Sequence, residues 1–88
     1  MSEKILFLTG KLAERQLKRI LSSMKPEFRY KINQIGVNVA ALMSENIIMR
    51  RLDKEQNADR IIVPGKFRGN LKRLSNFFKI PVETIFSE

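Results

Sequence analysis

The 88-residue chain predicts a small three-layer α/β domain built on a parallel sheet of about four strands in the order 2-1-3-4. Three observations carry this. Two short apolar runs without alternation, "KILFLT" (4–9) and "RIIV" (60–63), each lead into a glycine turn, as strands buried on both faces do. Segments with helical apolar spacing follow them. A third strand-like segment, "FRYKI" (28–32), alternates apolar and cationic residues, the pattern of an edge strand with one wet face.

The elements follow in order. After the first strand, "KLAERQLKRILSSMK" (11–25) spaces Leu12, Ala13, Leu17, Ile20, Leu21 and Met24 for one helix face, with Arg15, Lys18 and Arg19 opposite. Lys25-Pro26 ends it, since a residue before proline disfavours the helical region. In the second strand Phe28, Tyr30 and Ile32 point one way and Arg29 and Lys31 the other. In "GVNVAALMSENIIMRRL" (36–52), Ser44 is placed to cap a helix and Glu45 to complement its dipole. Ile47, Ile48 and Leu52 form its buried stripe, with Met49 beside it. Residues 37–43 are uncharged and read either as a packed loop or as an earlier helical turn. Asp53 to Asp59 is polar and turn-like. "GNLKRLSNFFK" (69–79) is a third helix with Leu71, Leu74, Phe77 and Phe78 inward. "PVETIF" (81–86) closes as a short strand, Val82, Thr84 and Phe86 on one face and Ile85 on the other.

Strict alternation of strand and helix implies right-handed crossovers and helices on both faces of one sheet. The apolar strands belong at the centre and the alternating strand at an edge, which gives the flavodoxin-like, Rossmann-like order less its last strand. Residues 1–88 then form one domain. The segment 81–86 is left as an open edge, apt to pair with a second copy or to be covered by a further segment.

Charge narrows the partners. Seventeen Lys and Arg against nine Asp and Glu give a net +8, which suits phosphate, nucleotide, nucleic acid or an acidic surface; plain solubility is the other reading. Residues 60–79 hold six cations (Arg60, Lys66, Arg68, Lys72, Arg73 and Lys79) and no acid. The chain has neither cysteine nor histidine, so it offers no disulfide framework, no thiol nucleophile and no Cys/His metal site. With no apolar run of membrane-spanning length and no signal-peptide pattern, a cytoplasmic setting is the expectation.

In a 2-1-3-4 sheet the ligand crevice lies outside the carboxyl ends of strands 1 and 3, where the order reverses. Those strands lead into Thr9-Gly10-Lys11 and into Pro64-Gly65-Lys66, the latter followed by Arg68, Gly69 and Asn70. The two loops are expected to face each other, each before a helix amino terminus that favours an anion. Lys11, Lys66 and Arg68 would hold negative charge, Gly10, Gly65 and Gly69 would permit close approach, and Asn38 would line the same end. Either loop alone reads as turn chemistry. Neither matches a P-loop or a dinucleotide fingerprint. The carboxylates Glu14, Glu45, Asp53, Glu55 and Asp59 are scattered and read as caps, solvated faces or turns. Met24, Met43 and Met49 read as core, and Phe67, Phe77 and Phe78 as packing. No catalytic residue, metal or cofactor is expected.

Taken together, "ILFLTGKLAE", "VNVAALMSENII", "ADRIIVPGKFRGNLKRL" and "IPVE" resemble the N-terminal domain of dihydropteroate synthase-like proteins of archaea and methylotrophic bacteria. That family's motifs are similar to V-T-G-[KR]-L-A, V-A-A-[LF]-M-[ST]-P-x-L-I and D-x-I-[LV]-[VI]-P-G-x-x-[RG]-G-[DN]. The matching positions are Thr9 to Glu14, then Val39, Ala40, Ala41, Leu42, Met43 and Ser44, then Asp59, Pro64, Gly65, Arg68, Gly69 and Asn70. Glu45-Asn46 replaces a proline common in the second motif. The family continues into a pterin-binding barrel, which needs about 250 residues, whereas this chain stops at "ETIFSE". The resemblance therefore implies a domain linked to tetrahydromethanopterin-type pterin biosynthesis without synthase activity of its own, either an excised piece or a stand-alone relative.

The leading expectation is a non-catalytic binding or docking domain whose crevice takes a phosphorylated or pterin-like molecule, or which docks against a catalytic barrel. The alternatives are a nucleic-acid-binding module using the basic helices 11–25 and 66–79, or a structural or dimerising domain using the edge 81–86.

Overall fold

The computed structural model describes residues 3–38, 43–53, 55–65, 67 and 69–84. The elements alternate as expected: β1 (Lys4–Thr9), α1 (Glu14–Met24), β2 (Arg29–Gln34), α2 (Glu45–Arg51), β3 (Arg60–Val63), α3 (Leu71–Phe78) and β4 (Val82–Thr84). The strands form one sheet in the order β2-β1-β3-β4, every pairing parallel. This is the flavodoxin-like order 2-1-3-4. Among the described residues no helix is long and apolar enough to cross a membrane.

Strand placement follows from side-chain chemistry. All five residues of β1 after Lys4 are buried, because the strand is central and covered on both sides. Arg29 to Ile32 of β2 alternate between exposed and half-buried, as an edge strand should. The strand starts one residue later than the alternation suggests and runs on to Gln34. β3 departs from the expectation of burial on both faces: Ile61 and Val63 are buried, whereas Ile62 is half-buried.

The register explains this. Ile5 lies beside Tyr30 and Arg60, and Phe7 beside Ile32 and Ile62, so these residues share one face. Leu6 and Ile61, with Val82 of β4 beside the latter, share the other. On that second face Ile48 and Leu52, at α2, and Leu74 and Phe78 of α3 close a core that also takes in Leu8, Val63, Met43 and Phe67. On the first face Ile5, Phe7 and Leu21 make a smaller core with Leu17, Phe28, Tyr30, Ile32 and Ile62. The Phe7, Phe28 and Tyr30 rings lie with centroids 6.2 to 6.5 Å apart, within the range of favourable tilted and edge contacts.

The apolar stripe of α1 is the main correction. Leu21 is buried and Leu17 half-buried, but Leu12 is 73% exposed, Ile20 47% and Met24 59%. Met24 is thus not core, unlike Met43, and Ala13 is exposed as well. Among the described residues α1 is the one helix on its sheet face, and a helix so placed buries only the wedge that touches the sheet, narrower than the stripe α1 carries. Leu12 is lost to the stripe for a second reason: residues 11–13 form a turn before the helix begins.

The other two helices are capped by side chains, α2 by Ser44 as the sequence suggests and α3 by Asn70, which the sequence offers only as a ligand-loop residue. Ser44 Oγ accepts the Ile47 N–H at 3.3 Å, and Asn70 Oδ1 accepts the Arg73 N–H at 3.0 Å. Each such cap contributes about 1 kcal/mol. Ser75 Oγ accepts the Val82 N–H at 2.9 Å, which ties β4 to α3.

Candidate functional site

The carboxyl ends of β1 and β3 lie side by side. Phe7 runs level with Ile62, β1 ends at Thr9 and β3 at Val63, and Gly10 and Gly65 lie in the turns that follow them. The two loops singled out by glycine and lysine therefore leave neighbouring strands at one end of the sheet.

The first loop closes on the loop after β2. Thr9 is buried, and its hydroxyl donates to the Gly10 carbonyl at 3.3 Å. A Cβ on Gly10 would stand 3.0 Å from the Asn38 carbonyl oxygen and 3.1 Å from that of Val37. The Lys11 N–H donates to the Val37 carbonyl at 2.7 Å, and the Leu12 N–H to the Asn38 carbonyl at 3.1 Å. Gly10 thus permits a close approach between two stretches of the chain itself, and Asn38 contributes its backbone. The Lys11 side chain is exposed. Just beyond it, Ala13 stands at the amino end of α1 and gives no side-chain hydrogen bond. The first amides of a helix have no intrahelical partner, and among the described residues no side chain closes this end of α1. Glu14 in the first turn pairs with Lys18 at 3.3 Å.

The second loop is organised differently. The Phe67 N–H donates to the Pro64 carbonyl at 3.0 Å, and the Phe67 ring is buried. A Cβ on Gly69 would fall 2.2 Å from the Phe67 ring and 2.8 Å from Cγ of Glu45, so Gly69 makes room for both. The Asn70 N–H donates to Glu45 Oε2, and Glu45 Oε1 lies 3.0 Å from the Arg73 guanidinium. The amino end of α3 therefore already holds a carboxylate, supplied by the first residue of α2. Lys66 and Arg68 lie outside the described residues.

A third glycine, unremarked in the sequence, shapes the same end. Gly36 has φ +101°, and a Cβ there would meet Arg51 Nη1 at 2.1 Å. Arg51 Nη1 donates to the Ile35 carbonyl at 2.9 Å, pinning the start of the loop on which Gly10 closes. Arg51, Glu45 and Arg73 carry no motif; their roles arise from contacts between elements far apart in sequence.

Three further acids, Asp59, Glu3 and Glu83, are engaged in structure. Asp59 accepts the Lys4 N–H at 2.8 Å. Arg60 lies 3.1 Å from Glu3 and 3.8 Å from Glu83. Among the described residues no cluster of acids suits a metal ion. Two open clefts lie at the opposite, amino end of the sheet. One of about 440 Å³ is lined by Glu55, Gln56, Phe77, Phe78, Lys79 and Ile80. The other, about 710 Å³, runs past Lys4, Arg29 and Asp59. Neither gathers a nucleophile and base. The expected open edge falls to β4, where Val82 is buried under α3 while Glu83 and Thr84 are exposed; Ile85 and Phe86 lie outside the described residues.

The model of a family of unknown function, DUF6513, matches residues 3–86, and the chain belongs to that family. No curated protein and no solved structure matches it.

Proposed function

For this member of DUF6513 we propose a non-catalytic binding domain that holds an anionic small molecule at the carboxyl end of β1. The observation that carries the reading is the difference between the two glycine loops. At α3 the helix amino terminus already has its anion, Glu45, whose carboxylate takes the Asn70 N–H and pairs with Arg73. At α1 no side chain among the described residues caps the helix, and the exposed Lys11 stands two residues before its first cap position. An aligned helix amino end with a cation beside it favours phosphate or carboxylate. With no histidine or cysteine in the chain, binding rather than turnover is the chemistry this end supports.

The motif resemblance to dihydropteroate synthase-like proteins supports the ligand class, a phosphorylated or pterin-like molecule. It also supports a place in pterin biosynthesis of the tetrahydromethanopterin type, with the domain docking against a catalytic barrel in the cytoplasm. Lys66 and Arg68 belong to the same proposed site by their position after β3.

Thermal unfolding with added inorganic phosphate, pyrophosphate and pterin-6-carboxylate tests this. A ligand of the native state raises the melting temperature with concentration. The expected result is a rise with at least one of these probes, reduced in Lys11→Ala and shallow in its salt dependence. No rise with any probe, or an equal rise in Lys11→Ala, contradicts the site. Tight binding of single- or double-stranded DNA with a steep salt slope points instead to the nucleic-acid reading.

A further inference from the structure

The amino end of the sheet carries two cations side by side without counter-ions. Lys4 of β1 lies beside Arg29 of β2 in register, and residues so paired project to one side of the sheet. Residues two apart share a face, so this is the side of Leu6. Like charges placed directly opposite cost stability, so the sheet itself gives no reason for the pairing. Among the described residues the ion pairs join Lys18 to Glu14, Arg60 to Glu3 and Glu83, and Arg73 to Glu45. None reaches Lys4 or Arg29. Glu3, next to Lys4 in the chain, is held by Arg60, which lies beside Ile5 and so belongs to the other face.

The same two cations line the open cleft of about 710 Å³, a size within the about 300–1,000 Å³ of small-molecule sites. The facing wall is the loop 56–59, whose Ala58 packs on the core of the Leu6 face. Backbone hydrogen bonds clasp this loop to β1. The Asp59 N–H donates to the Lys4 carbonyl at 2.7 Å, and the Lys4 N–H donates to Asp59 Oδ2 at 2.8 Å. The Gln56 side-chain amide donates to the Asp53 carbonyl at 2.8 Å and steadies the loop from behind. On the other wall the Arg29 N–H donates to the Glu3 carbonyl at 2.9 Å. Both walls are thus held in place. Asp59 Oδ1 and the exposed side-chain amide of Asn57 have no partner among the described residues.

We propose that this cleft binds a phosphorylated small molecule that also carries hydroxyl groups, of the sugar phosphate class. A phosphate monoester has a charge of about −1.5 to −2 at pH 7, which matches two adjacent cations better than one carboxylate does. Arg29 can take it through paired N–H bonds, with Lys4 as a point charge beside it. Asp59 repels a second anionic group and accepts from a hydroxyl, and the Asn57 amide both donates and accepts. The cleft lies at the opposite end of the sheet from the proposed site beside α1 and shares no residue with it, so either can fail without the other.

The test titrates ribose 5-phosphate, inorganic phosphate and ribose into the 15N-labelled chain and reads amide shifts by residue. The expected result is saturable shifts at residues 4, 29 and 57–59 with ribose 5-phosphate. Affinity there should be about tenfold tighter than for inorganic phosphate, and ribose should give no shift. Arg29→Ala, at an exposed edge position, should weaken ribose 5-phosphate about tenfold at these amides; Lys11→Ala should leave them unchanged. The comparison of the three probes needs no variant, so it stands even if one misfolds. The proposal is overturned by ribose 5-phosphate shifts confined to residues 13–16, by equal affinity of the cleft for ribose 5-phosphate and either simpler probe, or by unchanged affinity in Arg29→Ala.

Discussion

Glu45, the first residue of α2, accepts the backbone N–H of Asn70 at the start of α3 and pairs with Arg73 one turn further on, 3.0 Å from its guanidinium. One carboxylate thereby links two helices on the same sheet face and supplies the negative charge that the amino end of α3 favours. It also explains why the second glycine loop, so like the first in sequence, differs in what it has left to offer a ligand.

Glu45→Gln tests that link. The Arg73 side chain is 57% exposed, so solvent screens the ion pair, and the loss should total about 1 kcal/mol in urea unfolding. Removing the internal anion should also make α3 receptive to an external one. Sulfate is expected to stabilise Glu45→Gln more than the wild type; an equal effect on both would show that Glu45 does not occupy an anion position.

Gly69→Ala should destabilise by about 1–3 kcal/mol through overpacking, because the new methyl meets the Phe67 ring and Glu45 at once. Phe67→Leu in the same background should recover part of the loss. Chemical denaturation reads both, and a neutral Gly69→Ala would mean that the loop yields freely.

Gly36→Ala combines positive φ with the Arg51 guanidinium in the space of a Cβ. It should cost about 1–2 kcal/mol. Arg51→Ala removes the bond to the Ile35 carbonyl and costs about 1 kcal/mol. The two share one contact, so the double variant should cost less than the sum. Additivity within error would contradict the steric link.

Lys79 closes α3 in the left-handed region, φ 59°, with its N–H donating to the Ser75 carbonyl at 2.7 Å. Glycine takes that conformation without a Cβ penalty. Lys79→Gly should therefore stabilise the fold by about 0.5–1 kcal/mol, seen as a higher urea midpoint at unchanged slope.

Much of the architecture is legible in the sequence because burial leaves a mark on residue choice. "ILFLT" is apolar at every position but the last, and β1 is buried on both faces; Arg29 and Lys31 alternate with Tyr30 and Ile32, and β2 is an edge. Ser44 sits where a cap is needed and acts as one; Asn70, read as a ligand-loop residue, caps α3 instead. The fate of Ile20 and Met24 is not legible, because periodicity says which residues share a helix face and not how much surface waits opposite. At the site, Gly10 and Gly69 are visible as special but their reasons are not. Each accommodates a part of the chain distant in sequence, Asn38 in one case and Glu45 in the other. Glu45 itself reads as a favourable acid for its own helix, and nothing local announces that its carboxylate reaches α3.

The central claim is that the two helix amino ends differ, α1 open to an anion and α3 closed by Glu45. Amide chemical shifts during a titration of the 15N-labelled chain with inorganic phosphate measure this residue by residue. The account predicts saturable shifts at the first-turn amides of residues 13–16, with those of residues 70–73 unmoved. Shifts centred on residues 70–73, or none at residues 13–16, would contradict it.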